Sequence, residues 1–195
     1  MSFTNFRQNA FWYAMAALMM MLALLGDLAT GALNFDRGLI GQGQIWRLLS
    51  AHLVHLSMAH LLMNAAALIL VGLLVGRSYH AGMWWMIYAI LAIWISCGLL
   101  FLDPELMRYV GASGVIHGLV ACGAVASIRS NRFEAYLLLL GLAAKIAFEQ
   151  WAGPTATTES LIGGRVITNA HLYGAIGGCL LGAITFVSRR DTSRL

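Results

Sequence analysis

Charge is what this sequence has least of. Of its 195 residues only 10% are Asp, Glu, Lys or Arg, while 60% are hydrophobic. A water-soluble domain carries roughly 25% charged residues, so this chain could not cover its own surface in water. That excludes a soluble enzyme and a disordered tail. Cysteine is also sparse. Cys97, Cys122 and Cys179 are odd in number, lack framework spacing and fall inside apolar runs. They read as small apolar fillers and exclude a disulfide scaffold or a thiolate metal site. The twelve Lys and Arg, for a net charge of +4, form no dense run, so nucleic acid is not an expected partner. Low-complexity tracts and internal repeats are lacking too, and residues 1–195 read as a single membrane domain.

Long apolar runs are what the chain does have. A helix crosses the hydrocarbon core of a bilayer in about 20 residues. Six stretches meet or approach that length: Phe11–Thr30, Ser57–Gly76, Gly82–Leu102, Val110–Ile128, Phe133–Trp151 and Asn169–Ser188. Two joints are long, Gly31–Ser50 and Gly153–Thr168. The pattern predicts an all-α, polytopic bundle of six transmembrane helices. Arg7, Arg77, Arg129, Arg132, Arg189, Arg190 and Arg194 fall on one side of it. Arg37, Arg47, Arg108 and Arg165 fall on the other, with most of the acids. The positive-inside rule then places both termini in the cytoplasm. The first run is long for a signal peptide and no small-x-small site follows it, so it is expected to stay as a span.

Small residues recur at spacing four on two spans. Gly114, Gly118, Cys122 and Ala126 line the fourth, and Ala170, Gly174, Gly178 and Gly182 the sixth. Such stripes let helix backbones approach closely in lipid, which makes these two spans expected neighbours.

With the N-terminus inside, spans two, four and six all begin on the outer side. Each carries polar residues in its first turns: His55, His60 and Asn64; Ser113 and His117; Asn169 and His171. Polar groups at membrane depth are costly unless they face one another or a water-filled cavity. Three helices placing them at one depth point to a shared wet site. His60 and Asn64 share a helix face. Ser113, flanked by Gly111 and Gly114, sits at a helix start whose free N–H groups can receive an oxyanion. A serine there with a histidine from a neighbouring helix makes a nucleophile and a general base. Taken singly, each residue has a plainer role: Ser113 bonding its own helix, Asn64 joining helices, and His52 and His55 structural or interfacial. Their joint type and depth select acyl transfer at a peptide bond.

These residues resemble the rhomboid intramembrane serine proteases over nearly the whole chain. Trp46-Arg47 looks like that family's first-loop motif. His60-Leu61-Leu62-Met63-Asn64 matches its HxxxN, Gly111-Ala112-Ser113-Gly114 its GxSG, and Ala170-His171-Leu172-Tyr173-Gly174 with Gly178 its AHxxGxxxG. The resemblance implies a Ser–His dyad without a required acid, Ser113 as nucleophile and His171 as base. It also implies an oxyanion site from His60, Asn64 and the Ser113 N–H, and neither a metal nor another cofactor.

Many bacterial rhomboids place a tyrosine four residues after the serine, and here that position is His117. This variant, the compact core and the Lys145-Ile146-Ala147-Phe148-Glu149 run resemble the rhombosortase branch, associated with processing C-terminal Gly-Gly anchors of exported bacterial proteins. The resemblance implies a multi-pass protein of the bacterial inner membrane, its site toward the periplasm. The implied partners are the lipid bilayer and membrane-anchored substrates with a C-terminal transmembrane segment. His117 either stacks on His171 or tunes it by like charge. Lys145 and Glu149, at i and i+4, are either an internal ion pair or a substrate-recognition element. Ser113 is expected about 8 Å along its helix from Arg108, within reach of outside water. The fifth span, with Trp151 and the Gly153–Thr168 loop, is the expected side gate. Two other classes compete: a non-catalytic rhomboid-like protein that binds membrane segments, and a haem or metal protein using His60, His117 and His171.

Overall fold

A computed structural model describes the backbone of residues 3–191 and the side chains of residues 9–187. Arg194 lies outside the described residues, as do the side chains of Arg7, Arg189 and Arg190. The terminal charge clusters are therefore outside the structural account.

Ten helices and one two-stranded ribbon order the described chain: α1 (Phe3–Ala23), α2 (Gly26–Leu33), β1 (Phe35–Asp36), α3 (Arg37–Gly41), α4 (Arg47–Ser50), α5 (Met58–Val75), α6 (Ala81–Leu102), β2 (Arg108–Tyr109), α7 (Ser113–Ser127), α8 (Arg132–Ala152), α9 (Ala156–Ile162) and α10 (Thr168–Asp191). Single 3-10 turns follow α4 and α5. The fold is all-α, as the apolar pattern predicts. Four helices, α5 with its 3-10 turn, α6, α8 and α10, are long and apolar enough to cross a membrane. The bent pair α1 and α2 passes that test only when counted together. By length and composition, four or five of the six predicted spans meet that test, and α7 is shorter.

Two expectations need correction. The first predicted span, 11–30, is not one rod. The helix stops at Ala23, and α2 leaves it at 111°, the turn using Gly26 at φ 54°, a backbone region glycine reaches without a β-carbon penalty. The fourth span begins at Ser113 rather than Val110, because Arg108 and Tyr109 pair with Asp36 and Phe35 as a ribbon. The path from Arg108 to Ser113 is therefore not helical. The joint after the fifth span contains α9, started by the Thr155 side chain, which accepts from Thr158 N, and ended by left-handed Gly163.

α7 is the axis of the bundle. At 15 residues it spans about 22 Å, short of the roughly 30 Å hydrocarbon core. Other helices wall its start, and in a membrane irregular backbone is tolerated only against protein or a wet cavity. The glycine stripes make the α7–α10 contact, as expected. A β-carbon on Gly114 would lie 2.8 Å from the carbonyl oxygen of Ala170, and one on Gly118 2.8 Å from that of Gly174. Opposite this seam, Phe11 and Trp12 of α1 pack edge-on at 4.8 Å. Trp84 of α6 sits 4.9 Å from Trp12 and donates its indole N–H to Gly76 O at 3.0 Å.

The first loop is tied down by two arginines. Buried Arg47 donates to Gln44 Oε1, Gly31 O, Asn34 O and Asn34 Oδ1. Arg37 donates to the carbonyls of Leu99, Leu100, Asp103 and Leu106, capping the C-terminus of α6 where helix carbonyls lack partners. α8 stands apart: only 11% of its apolar window is buried. Phe133, Leu137 and Leu140 project outward from it, as a lipid-facing helix requires.

Candidate active site

Ser113 is the first residue of α7. The turn before it is held by three constraints. Gly111 N donates to Ala51 O at 3.0 Å, Tyr109 donates its hydroxyl to Gly111 O at 2.7 Å, and Gly111 sits at φ 118°. A β-carbon on Gly111 would lie 2.8 Å from His60 Cε1. Glycine here serves the backbone angle and the closeness of His60 together.

The Gly114–Ala170 contact places the residues next to them face to face. His171 Nε2 lies 2.8 Å from Ser113 Oγ. The other ring nitrogen, Nδ1, lies 2.8 Å from Glu149 Oε2 of α8, and Lys145 pairs with Glu149 Oε1. With Nδ1–H donating to the carboxylate, Nε2 keeps its lone pair toward the serine hydroxyl. The His117 ring stacks on His171 at 4.2 Å and 11°, while His117 Nδ1 meets Ser113 O at 2.7 Å.

α5 closes the opposite wall. Ser57 caps it by accepting from His60 N at 3.1 Å, a cap that satisfies an otherwise unpaired N–H. His60 Nδ1 accepts from Leu56 N at 3.4 Å, which leaves Nε2 as the protonated nitrogen. Asn64 donates one amide hydrogen to His60 O at 3.2 Å. All seven residues singled out from the sequence, His60, Asn64, Ser113, His117, Lys145, Glu149 and His171, line one cavity of about 910 Å³. Met63 and Phe148 add apolar wall, and exposed Arg108 and Arg165 stand at its rim.

Other polar residues named from the sequence lie elsewhere. His52 is buried, its Nε2 3.0 Å from Ala92 O and 3.1 Å from Ser96 Oγ, which ties the first loop to α6. His55 packs edge-on to His60 at 5.0 Å but does not line the cavity. Asn169, grouped with the site by depth, instead donates to Asp103 Oδ1, and Tyr173 donates to Asp103 Oδ2 at 2.9 Å. The link the sequence reading missed is Glu149 on His171. Its trace was a carboxylate on the fifth span at the depth of the other polar residues.

Potential ligand atoms of His117, Glu149 and His171 lie within 4.8 Å of one another. An imidazole lone pair lies in its ring plane. Two rings stacked in near-parallel planes cannot both aim at one ion without rotating apart, and Glu149 is already bonded by Lys145 and His171. The donor geometry therefore does not suit a metal.

Residues 42–188 match the Rhomboid domain family. The chain is 31% identical over 140 residues to the rhomboid protease GluP of Bacillus subtilis (strain 168), covering 67% of this chain and 27% of that protein. A second rhomboid relative, YdcA of the same strain, is 28% identical over 142 residues, covering 73% of this chain and 68% of its own length. The chain belongs to the rhomboid family and is a multi-pass membrane protein. It spans only about a quarter of the length of GluP.

Proposed function

We propose that this protein is an intramembrane serine protease, one rhomboid-like domain over residues 1–195, working with a Ser113–His171 pair. The observation that carries the reading is the 2.8 Å contact between Ser113 Oγ and His171 Nε2 at the cavity wall. Ser113 Oγ attacks the scissile carbonyl carbon while its proton passes to His171 Nε2. The oxyanion is received by Ser113 N–H, His60 Nε2–H and the free amide hydrogen of Asn64. Collapse breaks the C–N bond, and the leaving amine takes the proton from His171. Water then attacks the acyl ester with His171 again as base.

Substrates are membrane proteins anchored by a C-terminal transmembrane segment. They reach the cavity from lipid between α5 and α8, which contribute Met63 and Phe148 to its apolar wall. The site opens toward the periplasm of a bacterial inner membrane, with six spans and both termini in the cytoplasm. His117 in the stacking position and the Lys145–Glu149 pair support a rhombosortase-like role, with cleavage at a Gly-Gly boundary before the anchor helix.

The test is co-expression with a reporter bearing Gly-Gly, an apolar helix and a basic tail. Ser113→Ala and His171→Ala each abolish cleavage while the protein still accumulates in the membrane. The loss is on the order of 10⁴–10⁶ in rate, and the double variant loses little more, because the two act as a unit. Near-normal turnover by Ser113→Ala would sink the protease reading and favour membrane-segment binding.

A further inference from the structure

We propose that Glu149 is a positioning residue for His171, so that this rhomboid works with a Ser–His–Glu relay rather than a bare pair. The inference rests on the protease reading above and deepens it.

The geometry is that of an acid behind a base. Glu149 Oε2 lies 2.8 Å from His171 Nδ1, on the opposite edge of the ring from Ser113. Both side chains are largely enclosed, at 6% exposure for His171 and 13% for Glu149. The imidazole is held on three sides: Nδ1 by Glu149, Nε2 by Ser113 Oγ, and one face by His117.

Glu149 does not need His171 to satisfy a purely internal ion pair. Lys145 already occupies its Oε1, at the i,i+4 spacing that stabilises such pairs on one helix. The second oxygen is directed across to α10. α8 has an exposed, apolar outer face and little burial. A carboxylate at this depth is costly in an apolar setting, and its second oxygen is spent on the α10 histidine. What the carboxylate supplies is orientation and charge. Accepting from Nδ1–H selects the tautomer with the lone pair on Nε2. When the Ser113 proton arrives at Nε2, the imidazolium keeps its Nδ1 proton and Glu149 stays ionised. The new positive charge forms beside a fixed negative one, in a cavity with little polar surface. Lys145 holds the carboxylate in place and balances it while His171 is neutral.

The test uses the full chain in detergent or liposomes with a cleavable anchor substrate, measuring kcat, KM, labelling by a small fluorophosphonate and thermal midpoint. Glu149→Gln keeps the size but prefers the wrong ring tautomer. The expected result is a kcat lower on the order of 10³–10⁴-fold, with KM unchanged, fluorophosphonate labelling slowed in parallel and the midpoint near wild type. Glu149→Asp keeps the charge but withdraws it by one methylene. Its kcat falls by about 10² with KM unchanged, less than in the glutamine variant, and its comparison with wild type decides the matter if Glu149→Gln fails to accumulate. A raised KM with unchanged kcat and labelling would make Glu149 a substrate contact and overturn the proposal. So would wild-type kcat in both variants. Ser113→Ala, run alongside, separates the two levels. If it is inactive while the Glu149 variants are normal, only the relay falls, whereas an active Ser113→Ala would defeat the protease reading itself.

Discussion

Gly114 and Ala170 touch backbone to backbone: a β-carbon on the glycine would stand 2.8 Å from the alanine's carbonyl oxygen. Each is the chain neighbour of a residue of the proposed pair, Ser113 on one side and His171 on the other. The small-residue seam between α7 and α10 is thus the ruler for the Ser113–His171 distance. Gly114→Ala forces α10 outward, since a carbonyl in a helix cannot yield as a side-chain tip would. The expected cost is about 1–3 kcal/mol of stability and on the order of 10²-fold in rate, from a displacement near 1 Å. Gly141 in α8, with nothing within 4 Å of its β-position, is the control. Gly141→Ala gains roughly 0.5–1 kcal/mol of helix stability and leaves turnover alone. Thermal midpoints and kcat of the two variants check both halves.

In the proposed mechanism α5 supplies donors, not the base. His60→Ala and Asn64→Ala are expected to slow cleavage by roughly 10²–10³ each while fluorophosphonate labelling of Ser113 persists at a reduced rate. His60 leans on Gly111 and Asn64 on His60, so the two effects will fall short of additive. If neither variant slowed cleavage, α5 would have no part in the chemistry.

In the proposed mechanism His117 acts through its ring face. Its stack on His171, at 4.2 Å and 11°, is reproduced by any flat ring of similar reach. His117→Tyr and His117→Phe should keep turnover within a few-fold of wild type. His117→Ala removes a contact worth about 0.5–1.5 kcal/mol and slows turnover by roughly 2- to 12-fold. A His117→Phe variant as impaired as His117→Ala would show that the ring nitrogens matter more than the stack.

The residues the sequence made legible share one property: their meaning is local or periodic. The glycine stripes announce the α7–α10 seam because spacing four is a helix face. Ser113, His171, His60 and Asn64 stand in short motifs at one depth. The features that were hidden depend on direction and rotation. Hydropathy runs unbroken through Leu24 and Leu25, so nothing in it marks the 111° turn after Ala23. Lys145 and Glu149 are an evident i,i+4 pair, but the rotation of α8 that aims one Glu149 oxygen at His171 is set by tertiary packing. Asn169 sits at the right depth yet faces Asp103, since depth fixes height along a helix and not azimuth. The start of α7 lies three residues beyond the apolar run's start, since Val110 and Ala112 are apolar while the pairing of β2 with β1 is non-local.

The last prediction concerns where and what the proposed protease cuts. Ser113 stands at the start of a short helix, below rim residues Arg108 and Arg165 that are exposed. Water can fill a cavity of about 910 Å³ from that side, whereas from the far side it would have to pass the close-packed length of α7. A substrate segment must leave helical form to lay a carbonyl against Ser113 and its N–H. Each glycine in that segment lowers the cost by about 1 kcal/mol relative to alanine, so a Gly-Gly pair just outside an anchor helix is a chemically sensible target. Replacing the pair by Leu-Leu or Val-Val in a tagged substrate should cut the rate by about tenfold or more, because roughly 1.4 kcal/mol corresponds to a factor of ten. Mass spectrometry of the released product should map the new terminus to the periplasmic end of the anchor. Unchanged cleavage of the Leu-Leu substrate would remove the Gly-Gly specificity, and a cut at the cytoplasmic end would overturn the orientation.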